Sequence, residues 1–324
     1  LVVGGAFTYF NLSKKDKKQE KKPEIQTVYF FQNRVVMTIR QVFVWRGGEK
    51  KAVKIGDLLQ EEDEIETLKG SAIEMMLENQ FKILIRENTK VSIKALKAFL
   101  LNKKPQNTSY FFHLTQGKIF IQINPLSSYE NFQIHTPTLA VGVRGTQFMV
   151  FTDKTQTKVK VWQGSVLASR NIDVPKDLKE QTQVIIEEQE QVKVSVKENQ
   201  QIAKQIQTGK LDLPQIKKEK LASNDPDFLY SQKYFSVSSD HLGGLLEVTQ
   251  TQEGMVFLNQ LSLGQGDFSR YLLPGKYFIK VETPTQIFEQ EITIIAGEDC
   301  KIVPVFKAKE LLPQSPSRKP QLMQ

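Results

Sequence analysis

The sequence predicts an all-β protein: a strand-rich roll or sandwich and a small immunoglobulin-like β-sandwich, joined by a partly helical linker. Three observations predict this fold. Apolar side chains recur at every second position, as at Val141 and Val143, which is the period of a half-buried strand. Strands follow one another at roughly ten-residue spacing up to Ser169, as is typical of sandwiches and barrels. The same region has no amphipathic helix of ordinary length.

Residues 136–167 contain the clearest series of strands. Alternation predicts strands at 139–143, 147–151 and 159–161, with tight turns between them and a polar hairpin at 152–156. We expect these strands to form a meander, in which neighbours in the chain are also neighbours in the sheet. The stretch has no paired acids and no nucleophile beside a base, so its organisation favours a binding or structural role.

Composition and turn signals divide the chain into five segments. They are a truncated membrane anchor or signal segment with a basic stalk (1–24), a first β domain (25–198), a linker (199–242), a small β-sandwich (243–307) and a disordered tail (308–324). The linker begins with a stretch rich in Gln and Lys at 199–207, which is expected to form a short helix, and order falls beyond it. Its apolar and aromatic residues are expected to dock it on a neighbour rather than to form a ligand platform: Phe228, Leu229, Tyr230, Tyr234 and Phe235.

Glycine and proline mark the turns that the strands require. Gly145 and Gly164 are predicted at turns or close strand contacts that exclude a Cβ atom. In the second domain, Pro274 sets φ for a turn, and Gly275 is expected to take the positive φ of a type II turn. Tyr277 then begins a strand that faces the core.

Several of these residues follow the pattern of a known family. A Thr-Pro pair, a short apolar strand, Arg-Gly-Thr-x-Phe and a Gly-led strand resemble the FecR-type periplasmic domain, over about residues 34–196. The pattern departs at residues 78–80, where the family usually has an Asp-Gly turn, and residues 96–107 resemble an insertion. The matching residues are Gly56, Asp57, Thr67, Gly70, Ser71, Gly117, Thr136, Pro137, Arg144, Gly145, Thr146, Phe148 and Gly164.

Residues 243–306 resemble a second family, the PEGA-type module, which is a small immunoglobulin-like sandwich. Residues 272–277 match its Leu-x-Pro-Gly-x-Tyr motif. Residues 253–255 stand where the naming Pro-Glu-Gly-Ala motif usually lies, with half of that motif lost.

The two resemblances imply a non-enzymatic protein of the bacterial cell envelope. FecR proteins transmit a signal from outer-membrane transporters to a cytoplasmic sigma factor, whereas FecR-type domains elsewhere often accompany wall-binding or surface modules. We favour the second role, in which both modules bind an envelope protein or cell-wall glycan. The alternative is the sensory, signal-transducing half of a FecR-type transmembrane regulator.

The N-terminal segment offers three interpretations. Residues 1–10 are apolar and precede a lysine-rich stretch at 14–24. Ten residues cannot span a bilayer, which needs about 20. We favour the end of a truncated transmembrane anchor, which would tether a periplasmic or extracytoplasmic protein. A signal-peptide remnant and a peripheral strand are the alternatives.

The chain carries no recognisable catalytic or metal-binding pattern. Its histidines, His113, His135 and His241, lack ligand spacing. The acidic run 61–64 is interpreted as a solvated turn, since it lacks the alternating ligands of a calcium loop. Phosphate-binding, dinucleotide-binding and hydrolase motifs are missing. We therefore expect no enzyme activity, no cofactor and no metal.

The charge pattern argues against a nucleic-acid partner. The formal net charge is +8, but the lysines are spread along the chain instead of clustering with aromatic residues. The single cysteine, Cys300, excludes an intrachain disulfide and is expected to be a buried structural thiol. Arg144 is expected to bond to nearby carbonyls or a carboxylate, and its guanidinium also suits an anion or partner contact.

Overall fold

The computed structural model describes residues 8–9, 26–30, 33–77, 81–101, 104–125, 130–143, 145–209, 213–238 and 242–309. Strands dominate these residues, so the predicted all-β fold is confirmed. The strands form three sheets, which build two β-sandwiches, and most of their buried apolar residues fall into two large clusters.

Several strands of the first sandwich bury every second side chain, as predicted, and the alternation is clearest at 139–143 and 166–170. The strands of this sandwich are β1 (Thr8–Tyr9), β2 (Gln26–Phe30), β3 (Asn33–Ile39), β4 (Val42–Arg46), β5 (Glu49–Ala52), β6 (Leu58–Leu59), β7 (Glu64–Thr67), β8 (Ala72–Leu77), β9 (Phe81–Ile85), β10 (Lys90–Leu101), β11 (Lys104–Ile123), β12 (Glu130–His135), β13 (Leu139–Val143), β14 (Gln147–Thr152), β15 (Gln156–Gln163), β16 (Val166–Arg170), β17 (Gln183–Ile186), β18 (Glu190–Ser195) and β19 (Lys218–Lys220).

The second sandwich is built from shorter strands separated by polar turns. They are β20 (Gly244–Val248), β21 (Met255–Leu258), β22 (Leu261–Gln265), β23 (Phe268–Leu272), β24 (Gly275–Glu282), β25 (Gln286–Ile294), β26 (Asp299–Ile302) and β27 (Lys307–Ala308).

The two α-helices begin at capped positions. Ser195 accepts a hydrogen bond from the amide of Glu198 at the start of one helix, and Asp225 accepts one from the amide of Phe228 at the start of another. Such caps satisfy amides that the first turn leaves unpaired. The helical segments of the described residues are a 3₁₀ helix (Lys176–Thr182), α1 (Val196–Gln207) and α2 (Pro226–Phe235).

Two sheets enclose the core of the first sandwich. Sheet I has the strand order β5–β4–β7–β10–β11–β12–β13–β16–β17, in which β11 and β12 run parallel. Strand β2 pairs with the outer half of β10, and β1 pairs with β2. Sheet II has the order β26–β20–β23–β3–β8–β9–β11–β14–β15–β18–β19, in which β20 and β26 run parallel.

Strand β11 belongs to both sheets. Its first half pairs with β10 and β12, and its last residues, from Gly117 onward, pair with β9 and β14. At the crossing Gly117 has a φ of +104°, and a Cβ atom there would lie 2.1 Å from Oγ1 of Thr89. The chain can therefore pass between the layers because this position lacks a side chain.

The strands predicted over 136–167 form, but the prediction that they pair in chain order as a meander is wrong. Strands β14 and β15 are a hairpin in sheet II, whereas β13 and β16 pair with each other in sheet I. The chain changes sheets at Gly145 and again at Gly164, where φ is +77° and +80°. A Cβ atom on Gly164 would lie 2.6 Å from the carbonyl oxygen of Gly145. Alternation alone does not reveal the change, because strands of both sheets face the same core.

The stretch that resembles an insertion, 96–107, lengthens an existing hairpin. Its described residues continue the pairing of β10 with β11 out to Leu101 and Lys104. Strand β2 pairs with the other edge of β10 along this extension.

The second sandwich shares sheet II with the first. Strand β23 pairs with β3, and Arg270 lies opposite Met37. The other layer is sheet III, with the order β22–β21–β24–β25–β27. Residues between sheets II and III, such as Val256 and Ile279, continue into a cluster that includes Phe120 and Trp162 of the first sandwich. The two sandwiches are thus joined by backbone pairing and by a shared core, not only by the predicted linker.

The N-terminal apolar stretch is described at Thr8 and Tyr9. These two residues form β1 and pair with Thr27 and Gln26 of β2, as a strand rather than a helix. The remainder of 1–10 lies outside the described residues. In the described part of the chain, no helix is both long enough and apolar enough to cross a membrane.

The acidic run 61–64 is not a wholly solvated turn, contrary to prediction. The side chain of Asp63 is fully buried. Nε and Nη2 of Arg46 donate to its two oxygens at 2.7 and 2.6 Å, and the amide of Gln60 donates at 2.9 Å. The turn folds this carboxylate inward because it satisfies both an arginine and a backbone amide.

Two carboxylates make stability depend on acid pH. Lys50 and Lys90 lower the pKa of Glu66 to about 2, and Lys218, with the amide of Glu187, lowers the pKa of Glu190 to about 2. A folded-state pKa below the ordinary 4.5 stabilises the fold above that value, and the contribution is lost as pH falls toward 2.

We expect the urea midpoint to fall between pH 5 and pH 2.5, measured by fluorescence at each pH. The double variant Glu66→Gln, Glu190→Gln should show a shallower pH dependence. High salt should also weaken the effect, since these pairs border solvent. An identical pH profile in the double variant would contradict this assignment.

Candidate functional site at the junction of the two sandwiches

A buried ion pair lies where the two sandwiches meet. Glu74 on β8 and Arg270 on β23 both stand opposite Met37 of the intervening strand β3. Directly opposed residues project to the same face of a sheet, so the two charged side chains converge. Nη2 of Arg270 donates to Oε2 of Glu74 at 3.2 Å, and both side chains are fully buried.

Helix α2 and the turn after it supply further hydrogen bonds to the carboxylate of Glu74. Tyr234 donates its hydroxyl to Oε2 at 2.9 Å, and Ser238 donates its hydroxyl to Oε1. Arg270 also donates to the carbonyl of Tyr234 at 3.0 Å, and its guanidinium carbon lies 3.9 Å from the centre of the Tyr234 ring. Burial holds the pKa of Tyr234 well above its ordinary value, so the phenol remains a donor.

Two cations, Lys82 on β9 and Arg86 directly after it, attach further groups to the junction. Arg86 donates to the hydroxyl of Tyr230 at 2.7 Å and to the carbonyl of Leu263 at 2.8 Å, so it contacts both α2 and the second sandwich. Lys82 donates to the carbonyl of Ser238 at 3.1 Å. These bonds fix α2 between the outer face of sheet II and strand β22.

The start of α2 is held by charge. Nζ of Lys160 lies 2.7 Å from both Asp225 and Asp227, and Nζ of Lys118 lies 2.8 Å from Asp227. Burial opposes these charges, but hydrogen bonds to the two aspartates outweigh it and raise the pKa of Lys160. The same balance lowers the pKa of Asp227, through Lys118 and Lys160. Lys160 and Asp227 therefore remain ionised at neutral pH.

Aromatic rings fill the space under α2. Phe120 stacks on Trp162 with ring centres 5.9 Å apart, and Trp162 stacks on Phe228 at the same distance. Tyr230 lies 5.6 Å from Phe120 and 5.8 Å from Tyr234. The rings anchor the predicted linker, as expected, whereas Leu229 remains exposed. Helix α2, residues 226–235, is consequently packed between the two sandwiches.

The arrangement is suited to mechanical coupling. The charges of the buried ion pair and of the start of α2 each have an opposite charge within about hydrogen-bonding distance, whereas Arg86 donates to neutral oxygen atoms. Among the described residues, no three His, Cys, Asp or Glu side chains lie close enough to hold a metal ion. A displacement of the second sandwich would be passed to β3 and β8 through the paired strands and the ion pair.

Most residues of the predicted family motif make none of the junction contacts described above, and several of them shape turns. Thr67 accepts a bond from the amide of Thr89, and Asp57 accepts one from the amide of Lys54. Thr146 donates to the carbonyl of Ser165. The rest comprise left-handed glycines, buried residues and one exposed proline: Gly56, Gly117, Gly145 and Gly164; Thr136 and Phe148; and Pro137.

Gly70 and Ser71 are the motif residues that reach the junction. A Cβ atom on Gly70 would lie 3.2 Å from Nη1 of Arg40 and from Cβ of Gln265, which belongs to the second sandwich. Ser71 is 2% exposed. Arg144, the predicted anion or partner contact, lies outside the described residues.

The prediction of a type II turn at Pro274 and Gly275 is wrong. Gly275 has a φ of +157°, which is nearly extended and far from the value of about +80° that the turn needs. It begins β24 directly after a bend at Pro274. Tyr277 does face the core as predicted, and its hydroxyl donates to the carbonyl of Leu273 at 2.7 Å.

Two histidines lie in the described part of the chain. His113 and His135 lie opposite each other on the parallel strands β11 and β12. Burial lowers the pKa of His135, and the nearby His113 lowers it further. His241 lies outside the described residues.

Cys300 is half-buried in β26, and burial raises the pKa of its thiol. Because the thiolate is the reactive form, a raised pKa slows modification. We expect Cys300 to react with 5,5′-dithiobis(2-nitrobenzoic acid) several-fold more slowly in the folded protein than in urea, measured by absorbance at pH 8. Equal rates in the two states would contradict the assignment.

Sequence reasoning missed both members of the ion pair. Glu74 alternates with the core residues Ile73 and Met75, and this alternation alone gives no sign that the opposite face of the strand is also buried. Arg270 carried a usable signal, because it occupies an inward position between Phe268 and Leu272. A charge on an apolar strand face predicts a buried partner, since an unpaired buried charge is unfavourable.

Comparison with known proteins identifies one family. The model of the family described as "FecR protein" matches residues 63–167, which is less than half of the chain and includes β8, β9, β13 and β14. This segment is therefore FecR-like, in agreement with the resemblance expected for the first domain. The resemblance of 243–306 to the PEGA-type module finds no support. No curated protein matches the chain.

Two solved structures of a proposed anti-sigma factor from Parabacteroides distasonis ATCC 8503 are similar to the chain. The one at 1.65 Å resolution has a TM-score of 0.35 and 15% identity, over 52% of this chain and 64% of its own. The one at 2.50 Å has a TM-score of 0.33 and 16% identity, over 50% and 61%. The chain thus spans less than two thirds of either structure. Similarity at this level establishes neither fold nor function.

Proposed function

We propose that this chain is the extracytoplasmic sensory part of a FecR-type regulator. The observation that supports this function is the position of Glu74. It lies inside the segment that matches the FecR family, and its buried carboxylate joins that segment to the second sandwich through Arg270. The second sandwich would receive a contact, and the FecR-like segment would pass it on. The proposal also includes the envelope location and the membrane tether.

Rigid coupling distinguishes this role from simple binding to an envelope component. A module that only binds a partner works equally well on a flexible tether. Here the connecting segment contains α2, which is packed on both sandwiches. Such packing favours transmission of a positional change, because packed cores and interfaces shift between discrete arrangements.

The proposal is tested by deleting the gene in its native host and measuring transcripts. We expect a small, defined set of genes to change, as regulation through one sigma factor requires. Complementation with the wild-type gene should restore the pattern, as should Lys301→Ala on the exposed edge of the second sandwich. Arg86→Gln, which removes contacts to both α2 and the second sandwich, should restore it incompletely. Unchanged transcription after deletion would exclude a regulatory role.

A further inference from the structure

We propose that a polar cleft between the two sandwiches binds a neutral, hydroxyl-rich ligand such as a short oligosaccharide. The inference rests on the proposed function and names what the sensor recognises. The cleft encloses about 690 Å³, which is within the usual range for small-ligand sites. We call it the junction cleft. Its walls carry Gln41 and Ser71 from the first sandwich, and Gln250 and Gln252 from the second.

The charges that line the junction cleft balance one another. Arg40 pairs with Glu253 across the cleft and also donates to the carbonyl of Lys69. Asp267 accepts bonds from the amide and the hydroxyl of Thr251, at 3.1 and 2.9 Å. The lining thus has two cations, at Arg40 and Lys69, and two anions, at Glu253 and Asp267. A charged ligand would disturb this balance, so the cleft favours a neutral one.

The uncommitted groups of the junction cleft match a ligand with many hydroxyls. The side chains of Gln41, Gln250 and Gln252 are exposed and make no hydrogen bond with any described residue. Each carboxamide offers two donor hydrogens and an acceptor oxygen, which is what sugar hydroxyls require. Ser71 is buried, and its Oγ has no hydrogen-bond partner among the described residues. Such a group is rarely left unpaired, and it stands in the wall of the cleft.

The cleft is also pre-formed. Gln250, Gln252 and Glu253 have φ values of +56°, +51° and +59°, which non-glycine residues seldom adopt. Backbone bonds hold this loop: the amide of Gly254 donates to the carbonyl of Thr251, and the amide of Gly266 donates to that of Gly254. A rigid loop loses little freedom when a ligand binds, which favours affinity.

A peptide fits the junction cleft less well. The lining contains one large apolar side chain, Leu68, and no aromatic residue. Side-chain recognition in a peptide needs apolar pockets, which the cleft does not offer. A neutral saccharide needs hydrogen bonds on several sides, and both sandwiches supply them.

The test is isothermal titration of the purified chain with N,N′-diacetylchitobiose and with cellobiose at millimolar concentration. Digalacturonic acid and trialanine serve as the anionic and peptide probes. We expect saturable one-to-one binding of at least one neutral disaccharide, and none of the other two probes. Gln250→Ala and Ser71→Ala should each weaken binding about tenfold. Gln200→Ala and Ser165→Ala, which replace exposed residues outside the cleft, should leave binding unchanged.

Circular dichroism melting of every variant separates lost binding from lost folding. If Ser71→Ala unfolds, Gln250→Ala decides the outcome, because its side chain is exposed. Absence of binding by both disaccharides, binding unaffected by Gln250→Ala, or preference for trialanine would overturn the inference. If gene deletion changes transcription but neither disaccharide binds, the proposed regulatory function is retained and the saccharide site is excluded. If a disaccharide binds but gene deletion leaves transcription unchanged, the ligand site in the cleft is supported and the regulatory function is excluded.

Discussion

Arg270→Ala is expected to lower the free energy of unfolding by about 3–5 kcal/mol, the usual penalty when one partner of a buried ion pair is removed. The variant leaves the carboxylate of Glu74 at a fully buried position, with only Tyr234 and Ser238 as donors. It also removes the guanidinium that lies over the ring of Tyr234. Urea denaturation followed by tryptophan fluorescence measures the loss.

Two matched variants show whether the penalty arises from the unpaired charge. The double change Glu74→Gln, Arg270→Met removes both charges and should be less damaging than Arg270→Ala, since neutral replacements of buried pairs are often tolerated. Lys301→Ala breaks the exposed pair with Glu247 and should alter stability by less than about 1 kcal/mol. A loss at Arg270→Ala no larger than that at Lys301→Ala would exclude Arg270 as a structural link between the sandwiches.

Gly117→Ala is expected to lower the free energy of unfolding by about 2–5 kcal/mol or to prevent folding. Two effects combine. A left-handed backbone disfavours an L-residue by about 1–2 kcal/mol, and overpacking adds about 1–3 kcal/mol. The added Cβ would meet Oγ1 of Thr89 at 2.1 Å and its Cα at 2.5 Å. Because the second atom is backbone, a rotamer change cannot relieve the clash. Thermal melting by circular dichroism measures the effect.

Gly56→Ala is the matched control. Gly56 has a φ of +86°, and nothing lies within 4 Å of the position of its Cβ. It therefore isolates the backbone effect of about 1–2 kcal/mol. Equal destabilisation by the two variants would show that the contact with Thr89 relaxes. The crossing of β11 between the sheets would then not depend on the missing side chain.

The period of the apolar residues predicted most strands but not their partners. The strands expected at 139–143 and 147–151 form at nearly those positions. Their assignment to one meander failed, because a two-residue period shows which face is buried and not which neighbour completes the backbone bonds. The switch at Gly145 is a local turn in the sequence, and only the pairing with distant strands identifies it as a change of sheet.

The candidate site was predictable only in part. The aromatic residues of 226–235 were expected to dock, and Phe228, Tyr230, Tyr234 and Phe235 do. Their target was not predictable, because Phe120 and Trp162 lie more than 60 residues away in the chain. The burial of Glu74 was not predictable, because alternation places it on the face opposite Ile73 and Met75, and the outer face of a sandwich sheet is ordinarily wet. The second sandwich and α2 cover that face here.

The sequence by itself determined the all-β fold, the strand positions and the FecR-like character of the first domain, because these depend on local periodicity and short motifs. Tertiary structure alone decided that the two sandwiches share one sheet, that α2 packs between them and that Glu74 pairs with Arg270. Those features arise from backbone pairing and packing between residues about 200 positions apart, for which hydrophobic alternation carries no signal.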